Sequence, residues 1–319
     1  TCEDRTAEGR DGVTNHPCAA ERYQLMSLLK TFQNSYDPAP NAADWTLTAT
    51  GNFGGETGDT ERVVPGNTAV TNANTFVVPV GESFQFEEKA APEVMKGYEF
   101  LNSGLTAVGG SQVELVNKDK PASVKWTKTD GETGTLLGGS EWKLTGPAAP
   151  GGLVITDCIA ADRSVCTGPD KDPGAGSFLL EEMNWGEYTL TEVTPPPGYA
   201  LPNLPERSFR LSSANTGSES LDIGAILNDR LPGSISWQKV EAETANPLTG
   251  SVWKLTSESG TTITDIADCT TPGNCSGPDK DPTPGSFRVE GLAWGTWELV
   301  ETSAPLGYLL TTREETLQI

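Results

Sequence analysis

Three lysines sit on alternating stretches among apolar residues: Lys30 in Leu28-Leu29-Lys30-Thr31, Lys128 in Val124-Lys125-Trp126-Thr127-Lys128, and Lys239 in Ile235-Ser236-Trp237-Gln238-Lys239. Val124, Trp126 and Lys128 share one parity, as do Ile235, Trp237 and Lys239. A strand that turns its tryptophan into a core therefore turns its lysine there too. A glutamate repeats the difficulty, since Glu192 has the parity of Tyr188 and Leu190, and Glu301 that of Trp297 and Leu299. An asparagine closes an apolar stretch twice, as Asn117 after Val113-Glu114-Leu115-Val116 and as Asn228 after Ile226-Leu227. An isolated buried charge is costly, so a buried amine and a buried acid in each segment call for a common explanation. Amine, acid and carboxamide are the parts of a self-forming amide. Burial favours the uncharged amine, which can attack, and the uncharged acid, which can polarise the asparagine carbonyl and pass a proton as ammonia departs. Each set would react once and leave a Lys–Asn amide. A single lysine so placed reads as an edge or snorkelling residue; three similar placements favour the shared chemistry.

The elements that must hold these residues are strands. Apolar residues alternate in Tyr188-Thr189-Leu190-Thr191 and Trp297-Glu298-Leu299-Val300, the period of a half-buried strand. Thr194-Pro195-Pro196-Pro197-Gly198-Tyr199 punctuates the first of these as a turn. A long segment recurs: Trp142-Lys143-Leu144-Thr145, Cys158, Cys166, GPDKDP (168–173), GSF (176–178), Trp185-Gly186 and Gly198-Tyr199 are answered by Trp253-Lys254-Leu255-Thr256, Cys269, Cys275, GPDKDP (277–282), GSF (285–287), Trp294-Gly295 and Gly307-Tyr308. A divergent copy occupies the first third, where Asp44-Trp45-Thr46-Leu47 matches a second strand and Phe84, Phe86 and Glu88 fall where Tyr188, Leu190 and Glu192 fall later. Register favours Glu88 as the acid there and leaves Glu87 open, while the Leu and Met spacing of 23–33 would also suit a short helix. Proline-containing linkers near 118–123 and 229–234 divide the chain into modules at 1–120, 121–231 and 232–319. The expected fold class is all-β, a tandem of Ig-like or prealbumin-like β-sandwiches.

Composition narrows the function. With 35 glycines and 23 prolines the chain suits short strands and tight turns. The 44 acidic against 22 basic residues give a net charge of −22, which repels nucleic acid and anionic lipid. No apolar run reaches the roughly 18 residues that cross a bilayer as a helix, so no membrane partner is expected. Six cysteines fall into close couples, Cys2 with Cys18, Cys158 with Cys166 and Cys269 with Cys275, a pattern of local disulfides and hence of an extracellular setting. No cofactor or metal is expected. The aspartates of each GPDKDP loop, Asp170 with Asp172 and Asp279 with Asp281, fall short of the oxygens calcium takes, and His16 is the sole histidine, leaving little for a metal or Ser-His-Asp site. An enzyme is not expected, because the one reactive constellation would be consumed.

These residues resemble the CnaB-type, prealbumin-like modules of Gram-positive surface proteins and pilins, including the SpaA-type pilins. The glutamate motif of that family is matched by Leu190-Thr191-Glu192 with Pro197-Gly198-Tyr199, and by Leu299-Val300-Glu301 with Pro305-Leu306-Gly307-Tyr308. The first segment resembles the actinobacterial version. The resemblance implies a first-strand lysine joined to a last-strand asparagine beside the glutamate, hence Lys128, Asn228 and Glu192, and Lys30, Asn117 and Glu88. The chain stops sooner after Glu301 than either asparagine follows its glutamate, so the last strand and asparagine matching Lys239 are expected beyond Ile319. The implied function is a cell-wall stalk, in a pilus or an adhesin, with a host or bacterial surface ligand, other pilus subunits and a sortase as partners. No VYPK-like shaft motif occurs, which favours a tip, basal or monomeric adhesin over a shaft. The alternative is that the N-terminal segment itself binds a ligand.

Overall fold

A computed structural model describes residues 22–54, 58–311 and 313–319; Cys2, Cys18 and His16 lie outside them. Nearly all the regular structure is β. The first eight strands are β1 (Tyr23–Gln33), β2 (Trp45–Thr50), β3 (Glu61–Pro65), β4 (Thr75–Pro79), β5 (Ser83–Ala90), β6 (Tyr98–Phe100), β7 (Thr106–Val108) and β8 (Gln112–Asp119). They form two four-stranded sheets, β4-β1-β8-β6 and β3-β2-β5-β7. One short helix, Pro92–Lys96, precedes β6. The segment 23–33 is a strand, not a helix. It lies between two neighbours, and Met26 through Lys30 are buried without interruption, so its burial does not alternate. β5 alternates cleanly, with Phe84, Phe86 and Glu88 inward and Glu87 exposed.

The next seven strands are β9 (Ala122–Asp130), β10 (Glu141–Gly146), β11 (Ala149–Thr156), β12 (Ser177–Met183), β13 (Gly186–Thr194), β14 (Glu206–Leu211) and β15 (Leu221–Asn228). Their sheets run β11-β10-β13-β14 and β12-β9-β15. The last six, β16 (Gly233–Gln238), β17 (Val252–Ser257), β18 (Thr262–Ala267), β19 (Ser286–Leu292), β20 (Thr296–Ser303) and β21 (Glu315–Gln318), repeat this order as β18-β17-β20-β21 and a two-stranded β16-β19. The repeated sequence makes a repeated core. Trp126 stacks on Phe178 with centroids 4.8 Å apart, and Trp237 on Phe287 at 5.1 Å. Trp142 and Trp253 meet those phenylalanines edge-on. Each of these indoles donates to a serine two residues earlier, Ser140 or Ser251, at 3.0 and 2.9 Å, which satisfies the N–H that such a burial would otherwise strand.

The strands pack as two compact units. Of the described residues, one holds those through 196 together with 201–227; the other holds 197–200 and those from 228 to 319. In β15 the buried residues are Ile226 and Asn228, while Leu227 is exposed. Leu227 thus contributes nothing to the core around Asn228, which Ile226 supplies instead because it shares the parity of Asn228.

Candidate functional site

Lys30 reaches the core from β1, a central strand, and its side chain is fully buried. Its Nζ lies 2.7 Å from Oε2 of Glu88 on β5 and donates to the carbonyl of Leu115 on β8 at 3.0 Å. The ring of Trp45 is 4.8 Å from the amine. Burial holds the Lys30 pKa below the ordinary lysine value, against the opposing pull of Glu88. Asn117 lies two residues beyond Leu115, on the strand that runs parallel to β1. Its side chain is buried, and neither its Oδ1 nor its Nδ2 has a hydrogen-bond partner. An orphaned carboxamide in a core costs about 1–3 kcal/mol, so its retention asks for a reason.

The same geometry recurs in the second sandwich. Lys128 on β9 and Glu192 on β13 are both buried, with Nζ 3.4 Å from Oε2. The amine donates to the carbonyl of Ile226 at 3.0 Å. Ile226 precedes Asn228 by two residues, as Leu115 precedes Asn117. Asn228, the last residue of β15, is also buried. Burial lowers the Lys128 pKa too, Glu192 opposing it. In both sandwiches the amine is thus held by the backbone of the strand that carries the asparagine, two residues before it.

The SpaA prealbumin-like fold domain matches residues 122–222 and 233–319, more than half of the chain. The chain belongs to this family. Over 93% of its length it aligns with the Bacillus anthracis TIE protein, at 16% identity and a TM-score of 0.46, covering 48% of that protein. It aligns over 93% with a streptococcal ancillary pilin, at 18% identity and a TM-score of 0.26, covering 95% of it. Over 94% it aligns with the pilus adhesin SpaC from Lactobacillus rhamnosus GG, at 14% identity and a TM-score of 0.28, covering 39% of that chain. The chain therefore spans about half the length of the TIE protein and about two fifths of SpaC. No curated protein matches it.

The second SpaA domain carries an incomplete version of the set. Lys239 Nζ lies 2.8 and 3.0 Å from the two oxygens of Glu301, and Oε2 also accepts the Thr311 N–H at 3.1 Å. The lysine side chain is 16% exposed, against none for Lys30 and Lys128. Among the described residues no strand stands beside β16 where β15 stands beside β9, and no asparagine accompanies this amine.

Both SpaA domains carry the expected short disulfides, Cys158–Cys166 and Cys269–Cys275. The GPDKDP aspartates beside them have a use that the sequence did not reveal. Asp170, fully buried, accepts backbone N–H bonds from Cys158, Asp172 and Leu179 at 2.9–3.0 Å. Asp279 takes the equivalent bonds from Cys269, Asp281 and Arg288. These carboxylates close the loop onto the next strand by satisfying its amides. The recurrence of the first aspartate in both loops was the available signal.

Proposed function

We propose that the chain is a stalk segment of a Gram-positive surface structure, a pilus or a wall-anchored adhesin, whose modules are locked by internal Lys–Asn isopeptide bonds. The modules are residues 1–120, 121–231 and 232–319. Lys30 joins Asn117 with Glu88 as the proton-transferring acid, and Lys128 joins Asn228 with Glu192 in that role. The neutral amine attacks the asparagine side-chain carbonyl carbon, the bond to the amide nitrogen breaks, the acid delivers the proton with which ammonia leaves, and the carboxylate takes back the proton that the attacking nitrogen sheds as the new amide forms. No oxidation state changes, and the product has no charge to bury. Lys239 and Glu301 supply amine and acid to a third bond whose asparagine another strand must bring.

The observation that carries this reading is the Asn117 carboxamide. It is buried with no hydrogen-bond partner, while the neighbouring amine is tied to the carbonyl two residues before it and to an acid. A carboxamide kept for hydrogen bonding would be satisfied; one kept as an acyl donor need not be. Family membership supplies the setting, since SpaA-type domains resemble the building blocks of Gram-positive pilins, and the local disulfides suit an extracellular site. The deciding experiment is intact mass with peptide mapping. The parent should be one ammonia lighter per bond, with Lys30 and Asn117 peptides linked, and likewise those of Lys128 and Asn228. Glu88→Ala and Glu192→Ala should each restore one ammonia. Separate peptides in the parent would remove the proposal.

A further inference from the structure

Two motifs that recur in the sequence take no part in the cross-links: Trp-Gly before the glutamate strand and Gly-Tyr after it. The structure brings them together. In the first unit Trp185 meets Tyr98 edge-on at 5.5 Å. Its indole N–H donates to the carbonyl of Lys120 at 3.1 Å, and the N–H of Lys120 donates to the carbonyl of Gly97 at 2.9 Å. In the second unit Trp294 meets Tyr199 edge-on at 5.4 Å. Its indole donates to Leu231 at 2.7 Å, and Leu231 donates to Gly198 at 2.8 Å. The joint is the same bond for bond. A Gly-Tyr turn, a linker residue just before proline and an incoming Trp-Gly turn form one assembly, used twice.

The glycines are part of its fit. A Cβ on Gly97 would stand 2.6 Å from the Trp185 ring, and one on Gly198 would stand 2.8 Å from the Trp294 ring. The chain has a third copy of the receiving half, Gly307-Tyr308. A Cβ on Gly307 would meet nothing within 4 Å. Tyr308 is 42% exposed where Tyr98 and Tyr199 are each 8% exposed, and Leu306 and Leu309 beside it are open to solvent. Its hydroxyl donates to Glu241 at 2.9 Å, so the side chain is held while the residue stays open to solvent.

We propose that the Gly307–Tyr308 turn is a docking face for the Trp-Gly turn of another SpaA-type module. A second copy of this chain does not supply that partner. Trp185 and Trp294 are already engaged, the other six tryptophans belong to the sandwiches, and the turn of the first sandwich equivalent to Trp185-Gly186 is Gly81-Glu82. The occupant is a module with its own tryptophan–glycine turn, led in by a linker residue whose N–H pairs with Gly307. The inference uses none of the cross-linking residues and stands apart from the isopeptide reading.

The test is hydroxyl-radical footprinting read by mass spectrometry. In the parent, Tyr308 should oxidise severalfold faster than Tyr98 and Tyr199, and Trp294→Ala should expose Tyr199. Gly295 pairs with Ile319 as Gly186 pairs with Leu211, so residues 212–319 can be repeated in register after Ile319. In that extended chain Tyr308 should become as protected as Tyr199, and replacing the added copy of Trp294 with Ala should expose it again. A Tyr308 that stays reactive in the extended chain, or that stays protected without the added indole, overturns the proposal. Should the extension fail to fold, the parent is titrated with N-acetyl-tryptophanyl-glycinamide and followed by NMR. Shifts centred on Gly307 and Tyr308 support the docking face, and shifts elsewhere or none refute it.

Discussion

Replacing the buried pair with apolar residues, Lys30→Met with Glu88→Leu, should reveal the cross-link by the sign of the stability change. If Lys30 and Glu88 are only an ion pair, both fully desolvated with 0% and 3% side-chain exposure, apolar residues of similar volume should leave stability unchanged or raise it by about 1–4 kcal/mol. If Lys30 is bonded to Asn117, the same substitution opens a loop of about 90 residues and returns roughly 4–5 kcal/mol of freedom to the unfolded chain. For a unit of about 200 residues, at about 2–4 °C per kcal/mol, Tm should fall by about 10–20 °C. Scanning calorimetry beside intact mass measures both quantities. A double variant that melts at or above the parent temperature, with a mass explained by the two substitutions alone, would show that no bond was there to lose.

Three further outcomes are expected. In Asn117→Ala the Lys30 amine stays free. Burial depresses its pKa, so the unfolded chain binds a proton there that the folded chain does not, and stability should rise with pH toward the ordinary lysine range; denaturant melts of variant and parent across that range should diverge, and parallel curves would contradict this. Asp170→Ala removes the acceptor of three backbone amides and should cost about 2–4 kcal/mol, with faster hydrogen exchange at Cys158, Asp172 and Leu179; unaltered exchange would mean that the loop holds without it. Under denaturing, non-reducing conditions Cys158, Cys166, Cys269 and Cys275 should not react with a thiol reagent, and labelling of either couple would contradict the disulfides.

Much of the arrangement could be read from parity. Lys128 follows Trp126 into the core, Glu192 follows Leu190, and Glu88 rather than Glu87 follows Phe84 and Phe86, because a strand has two faces and aromatic residues mark one of them. Parity failed where burial is two-sided. In β1 the run Met26 to Lys30 is buried throughout, and continuous burial looks alike for a central strand and a helix. The aspartate caps and the Trp-Gly to Gly-Tyr joint were illegible for another reason. Both depend on backbone groups meeting at distances that no local period encodes, and the joint links residues such as Tyr98 and Trp185 that lie in different copies of the repeat.

The parallel pairing of β1 with β8, seven residue pairs from Ser27–Gln112 to Gln33–Lys118, sets how the first sandwich meets a pull along the chain. The polypeptide enters at the start of β1 and leaves at the end of β8, so opposite forces at these points slide the two strands past each other along their length. The rungs of the ladder are then loaded together, whereas strands peeled apart from one end would give way one rung at a time. Lys30 sits near the middle of this ladder, opposite Leu115. A covalent tie from there to Asn117 would stop the slip before it began, and the residues between would add no contour length under load.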